Sequence, residues 1–292
     1  MKVISGIMGG LGNQMFQYAC GKALAHRLGA KFYLDLSWFE NGNRDFMLDA
    51  FPNIQGVRKY KPSNDYYKCN KLFQKVLRRL GVSTKRYEHI AEPYYSYWAG
   101  IENIKKSVHL SGYWQNEKYF SNISLDIKQN FLFPNFPCEE SQNIVRRINL
   151  SSCSISIHVR RGDYVENSAT NRFHGVCSME YYGKALQMII DKCNTSSPEL
   201  FLFSDDPEWV KNNFNTQGYP SVIVDIPQHK NSPYHDMHLM SLCTHHIIAN
   251  SSFSWWAAWL SGGGGIVVAP KCWFMEETMK HHNPSVSSWI TI

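Results

Sequence analysis

"SISIHVRRGDYV", residues 154–165, alternates apolar and polar side chains and then ends in two arginines, a glycine and an aspartate. Period-two alternation predicts a β-strand with one face toward a core. The arginines then fall at the strand's carboxyl end, directly before a turn. They are either charge left in solvent or a socket for an anion. By the same alternation His158 and Arg160 share one face and Arg161 takes the other. Arg160 is therefore the better anion ligand, because a guanidinium gives two parallel N–H bonds to phosphate oxygens and a lysine cannot. Arg161 is expected in a structural pair, with Asp163 as a candidate partner.

Downstream the pattern continues regularly. Residues 178–193 and 206–214 read as helices, the second opened by Asp206 and Pro207. Residues 232–243 and 251–262 read as two more. The runs "CSISIHV", "ELFLFS", "PSVIVDI", "HHIIAN" and "GIVVAP" read as five strands. Strands alternating with short helices predict an α/β fold with a parallel, doubly wound sheet. Ligands of such sheets lie at the carboxyl ends of the strands, where Arg160, Asp205 and Asn250 fall.

Upstream, strand, glycine loop, helix and strand follow one another over residues 2–36. Residues 38–105 are irregular and aromatic, with a helical basic run at 69–81. A strand is expected over 107–114 and a helix over 116–131. "LFPNFPCEE", residues 132–140, carries two prolines and marks a boundary. Two α/β domains facing a cleft are expected, over residues 1–137 and 138–292.

The 292 residues are 43% hydrophobic and 18% charged, which excludes a disordered chain and leaves ample material for a core. The net charge of +6 suits an anionic substrate, an acidic membrane surface or nucleic acid, and selects none of them. Lysines and arginines are dispersed apart from "KVLRRLG", and no RNA-binding motif occurs, so no nucleic-acid partner is expected. No run of roughly 18 apolar residues is present to span a bilayer. The N-terminal stretch has no signal-peptide h-region, so a cytoplasmic location is expected, free or peripheral at the inner membrane face. The eight scattered cysteines then read as reduced thiols.

"GIMGGLGNQ", residues 6–14, is neither a dinucleotide fingerprint nor a P-loop. It is either an ordinary tight turn or a loop whose backbone closely approaches a ligand. In the second case Gly10, Asn13 and Gln14 are the candidate contacts. In "IIANSSFSWWAAWL" a strand ends at Asn250 and Ser251 or Ser252 caps a helix, leaving free N–H groups that can hold an anion. "FSDD" ends a strand with Asp205 and Asp206, of which at least one is expected to cap the next helix. His235, His238, His245 and His246 have zinc-like spacing, but no cysteine or carboxylate cluster completes a set in the sequence, so no metal is expected.

Taken together these stretches resemble the bacterial α-1,2-fucosyltransferases. The resemblance rests on "GGLGNQMFQYACGKALA", "GYWQNEKYF", "HVRRGDYV", "FSDD" and "DMHLMSLCTHHIIANSSFSWWAAWL" and covers nearly the whole chain. It implies a GT-B type fold of two Rossmann-like domains, with an N-terminal acceptor-side domain and a C-terminal GDP-fucose-binding domain. It also implies metal-independent, inverting transfer of fucose to the 2-hydroxyl of a terminal β-galactoside. By resemblance Arg160 grips the donor β-phosphate, His158 lies against the guanine and Asp236 pairs with guanine N1–H and N2–H. Ser251, Ser252 and Phe253 would hold the diphosphate, with Asn13 near the fucose and the acceptor hydroxyl. Some related fucosyltransferases carry a glutamate in the first glycine loop, where this chain has no acid, so Asp163 is the candidate general base, with Glu92 second and a dissociative route with only a weak base as the alternative. A non-catalytic binding protein on the same fold, and a fucosyltransferase of another linkage, stay open.

Overall fold

The computed structural model describes residues 1–41, 44–54, 58–60, 87–161, 175–194, 197–279 and 282–292. Asp163 and the basic run 69–81 lie outside these described residues. The chain divides into two compact units, Met1–Phe131 and Leu132–Ile292. The proline-bearing stretch opens the second unit for a visible reason: Phe133 and Phe136 stack on the His238 ring, at 4.5 and 4.4 Å between centroids.

The first unit is built on β1 (Lys2–Gly6), α1 (Leu11–Arg27), β2 (Lys31–Asp35), β3 (Arg58–Tyr60), β4 (Glu88–Ala91) and β5 (Val108–Ser111). The strands are parallel in the order β3-β2-β1-β5-β4. Central β1 buries Val3 and Ile4 completely. Helix α1 starts at Leu11, inside the glycine loop. The helix expected over 116–131 is broken into 3-10 turns at Glu117–Tyr119 and Ser121–Ile123, followed by α2 (Ser124–Asn130). The Asn116 side chain accepts from Lys118 N–H, and Phe120 leaves helical geometry at φ −138° and ψ 10°. Burial of Tyr119 and Phe120 rewards that break.

The second unit runs α3 (Glu139–Leu150), β6 (Ser154–Val159), α4 (Met179–Cys193), β7 (Glu199–Ser204), α5 (Pro207–Asn213) and β8 (Ser221–Val224). It continues with α6 (Tyr234–Leu242), β9 (His245–Ile247), α7 (Ser252–Leu260), β10 (Val267–Ala269) and β11 (Ile290–Thr291). Side chains of Ser178, Asp206 and Ser251 cap α4, α5 and α7. Spatial order is β11-β10-β9-β6-β7-β8, all parallel. Read from the other edge this is the Rossmann order 3-2-1-4-5-6, whose switch point lies between β6 and β9.

Strand β6 departs from the half-buried pattern its alternation suggested, since all six residues are buried. Ile155, Ile157 and Val159 pack with Leu186 and Ile189 of α4. The polar side chains are satisfied across the sheet instead of by water. Ser156 Oγ lies 2.8 Å from His246 Nδ1, and Ser154 Oγ accepts the Thr244 N–H at 2.9 Å. Parallel sheets are covered on both faces, and these hydrogen bonds make that coverage tolerable here. Among the described residues the cysteines are free thiols, and no helix is long and apolar enough to cross a membrane.

Candidate active site

Four connections leave the carboxyl edge of the second sheet, and each carries expected site residues. Arg160 and Arg161 follow β6, Asp205 and Asp206 follow β7, Asp236 lies in the first turn of α6 after β8, and Asn250–Phe253 follow β9. The β6 and β9 connections flank the switch point, so Arg160 and the start of α7 belong to neighbouring strands.

Asp205 organises the arginines. Its Oδ2 lies 2.9 Å from Arg160 Nη1, while its Oδ1 accepts the Arg161 backbone N–H at 2.8 Å. Ser204 Oγ donates to the Val159 carbonyl at 2.7 Å and accepts the Asp206 N–H at 3.0 Å, which ties the ends of β6 and β7 together. Arg161 takes a different environment. Its guanidinium carbon sits 3.6 Å above the Trp209 ring, with Asp206 Oδ2 at 3.5 Å from Nε. Thus Arg161 is packed on α5, and its described partners are Trp209 and Asp206. Asp205, expected to touch substrate, touches Arg160. Asp206 is the helix cap of the pair, accepting from Trp209 N–H at 3.1 Å.

His158 is buried at 4% exposure, and its Nδ1 has no hydrogen-bond partner among the described residues. Burial, reinforced by nearby Arg160 and opposed by Asp205, pulls its pKa down to about 4, so the ring is neutral near pH 7. The Phe253 ring lies 5.6 Å away. Ser251 Oγ accepts from Phe253 N–H at 3.3 Å and thereby fixes the α7 start, with Ser252 as its first residue. Asn250 braces the same corner from below, donating to the Gly175 and Trp273 carbonyls at 3.2 and 3.3 Å.

Asp236 is held by a residue the sequence reading passed over. Its Oδ1 lies 2.5 Å from His229 Nδ1, and His229 Nε2 lies 2.7 Å from Ser141 Oγ. The Asp236 side chain stays 31% exposed while that of His229 is 2% exposed.

In the first unit Asn13 Oδ1 accepts from Gln115 Nε2 at 2.7 Å. Gln14, expected to face substrate, is fully buried. Both its amide hydrogens go to backbone carbonyls, those of Gly9 and Asp45, and its oxygen accepts the Met47 N–H. It anchors the 45–47 loop. Gly10 precedes α1 at an ordinary φ of −75°, whereas Gly9, at φ +78°, is the glycine whose conformation the turn requires. Glu92 accepts the Tyr113 and Trp114 N–H groups at 2.6 and 3.0 Å. Burial raises its pKa, and those bonds oppose the rise. Gly112, at φ +154°, lets Glu92 approach, since a Cβ there would stand 2.3 Å from Glu92 Cβ.

The fold also assembles a ligand set that the sequence did not show. Donor atoms of Cys153, Cys193 and His245 lie within 4.8 Å of one another at the amino edge of the second sheet. His245 Nδ1 accepts the Ile266 N–H at 3.0 Å, which leaves the ring proton on Nε2, 3.4 Å from Cys193 Sγ. A metal-bound histidine has the opposite polarity, with a lone pair toward the ion and its other nitrogen donating. These residues as arranged fit a thiol–imidazole contact better than a metal.

Two parallel α/β sheets, the second in Rossmann order with an arginine and a capped helix start at its switch point, place the fold in the GT-B class. The family described as Glycosyl transferase family 11 matches residues 6–292, and the chain belongs to it. It is 35% identical to an alpha-1,2-colitosyltransferase of Escherichia coli, over 99% of this chain and 98% of that protein. It is 28% identical to the galactoside 2-alpha-L-fucosyltransferase SEC1 of Bos taurus, over 89% of this chain and 65% of that one. A mutant of Arabidopsis thaliana FUT1 in complex with GDP shares the fold at a TM-score of 0.52 and 14% identity, covering 91% of this chain and 69% of that one.

Proposed function

We propose that the protein transfers L-fucose from GDP-fucose to the 2-hydroxyl of a terminal β-galactoside, with inversion, in the assembly of a surface glycan or oligosaccharide. One observation carries the proposal: Asp205 holds Arg160 at the end of β6, next to the Ser251-capped start of α7 on the neighbouring strand. Cation and helix dipole there suit a diphosphate. The FUT1 complex with GDP supports guanosine as the nucleoside, and the names of the two relatives support the α-1,2 linkage and the galactoside.

As the C1–O bond of the sugar breaks, negative charge grows on the departing β-phosphate. Arg160 and the positive end of the α7 dipole, at Ser252 and Phe253, stabilise that charge, and they are already oriented before reaction. His158, neutral and buried, packs against the guanine, whose edge is read by Asp236. Asn13 orients the acceptor, and the acceptor proton is assigned to Asp163. Glu92 serves better as a brace than as the base, because each of its oxygens already accepts a backbone N–H. No metal is needed in this scheme, as Arg160 supplies the positive charge.

A second donor is favoured by the 35% identical relative: colitose, the 3-deoxy counterpart of fucose. Product analysis separates the cases. The purified protein is incubated with GDP-fucose or GDP-colitose and a panel of galactosides, and the linkage is assigned by NMR. An α-1,2-fucosylated product supports the proposal. Preferential colitose transfer would replace the donor, and binding of GDP-fucose without turnover would leave a non-catalytic protein.

A further inference from the structure

Ser141, His229 and Asp236 form a hydrogen-bonded series, 2.7 Å from Ser141 Oγ to His229 Nε2 and 2.5 Å from His229 Nδ1 to Asp236 Oδ1. In outline this is the geometry of a hydrolytic triad. The serine has no exposure at all, however, and Cys138 Sγ lies 3.1 Å from its hydroxyl. A nucleophile sealed in this way reaches no substrate. The accessible end of the series is the carboxylate.

We propose instead that His229, fixed by Ser141, is a positioning residue that sets the plane of the Asp236 carboxylate for reading a guanine edge. This rests on Asp236 being the guanine-binding residue, as above. The proton order is consistent along the series. The aspartate accepts from Nδ1–H, which leaves Nε2 as an acceptor for the Ser141 hydroxyl, whose oxygen can accept the Cys138 S–H. Every heteroatom of the imidazole is then engaged, and the ring cannot flip without breaking two bonds.

The consequence is directional. A guanine presents N1–H and N2–H side by side, so both are satisfied only when the carboxylate plane is aligned with the base. The tethered oxygen still has a lone pair for the base, and the side chain as a whole is 31% exposed. The tether removes the rotation that would let the carboxylate serve N1–H alone. Selectivity for the 2-amino group therefore depends on residues that never touch the nucleotide, one of them 88 positions from its partner.

The test compares dissociation constants for GDP and inosine diphosphate, which lacks the 2-amino group, by calorimetry on the intact protein, with a melting curve for each variant. His229→Leu should reduce the GDP preference by about tenfold, the scale of one charge-assisted hydrogen bond. His229→Asn, whose side-chain N–H can stand where Nδ1–H stood, should keep most of it. Ser141→Ala should lose about threefold, and this variant decides alone if His229→Leu does not fold. If the preference survives in His229→Leu but falls in Asp236→Asn, the positioning role is overturned and the guanine contact stands. If Asp236→Asn also leaves it unchanged, the guanine contact itself is wrong and the inference falls with it. Equal weakening of both nucleotides with a lowered melting point would mean a purely structural role and overturn the proposal.

Discussion

Arg160 and Asp205 are paired at 2.9 Å, with side chains about three-quarters buried. Asp205 is fixed from its other oxygen by the Arg161 backbone N–H, so the guanidinium is aimed before any donor arrives. Pre-aimed charge is what transition-state stabilisation requires. Asp205→Asn should therefore lower kcat by about tenfold, the scale of one charge-assisted bond, with a smaller change in KM. Steady-state rates against GDP-fucose concentration check this, and a variant affected only in KM would mean that Asp205 contacts the donor directly.

Arg161 should behave as a packing residue. Its guanidinium covers the Trp209 ring at 3.6 Å, a stacked contact that lysine reproduces poorly. Arg161→Lys should cost about 1 kcal/mol of stability while leaving turnover within about twofold. Thermal melts beside initial rates decide it, and catalytic loss without a lowered melting point would place Arg161 at the donor site instead.

Acid should destabilise the protein well above the carboxylate range. Burial pulls the pKa of His158 and His238 down to about 4 and that of His246 to about 3, from an ordinary 6.5. In each case the unfolded chain takes up the proton first. Stability is thus fully present above pH 6.5 and is lost as pH falls from there through the folded values. Melting temperature should drop between pH 7.5 and pH 5. His246→Asn, which can keep a bond to Ser156, should start lower and show a shallower slope. A flat profile for the wild-type protein would show that these rings are not buried neutral.

Much of the second unit was legible in the sequence because local signals agreed with it. Ser178, Asp206 and Ser251 sit where helix caps should, Pro207 opens α5, β6 alternates with period two, and the apolar runs of β7 and β8 are uninterrupted. What escaped notice depends on distant partners or on very short elements. The polar face of β6 reads as solvated until His246 and Thr244, 90 residues on, are seen beside it. Gln14 reads as a site amide, and only the 45–47 loop explains its burial. Strands β3, β4 and β11 span two to four residues, too short for a period to show. Helix α3 was missed outright. Its apolar stripe is thin, with Ile148 the one buried apolar residue on it. Asp236 was found by resemblance, but nothing local marks His229 as its holder, since Ser141 lies far upstream.

Chelation should leave the enzyme working. In the proposed scheme Arg160 and the α7 N-terminus supply the charge that a bound cation supplies in other transferases. Initial rates in excess EDTA should match those without it. Loss of activity that Mn²⁺ or Mg²⁺ restores would require a different account of leaving-group stabilisation.

The central claim is that Arg160 anchors and stabilises the departing diphosphate of a GDP-sugar, and it is tested most directly by the rate of GDP release in Arg160→Lys. The measurement uses saturating GDP-fucose and a β-galactoside, with the wild-type protein and Arg160→Ala alongside. Lysine keeps the charge but loses the two-pronged fork, so its rate should fall about a hundredfold, nearly as far as with alanine, a loss of roughly 3 kcal/mol. Melting points should stay near that of the wild-type protein. Wild-type turnover in Arg160→Lys would contradict the account.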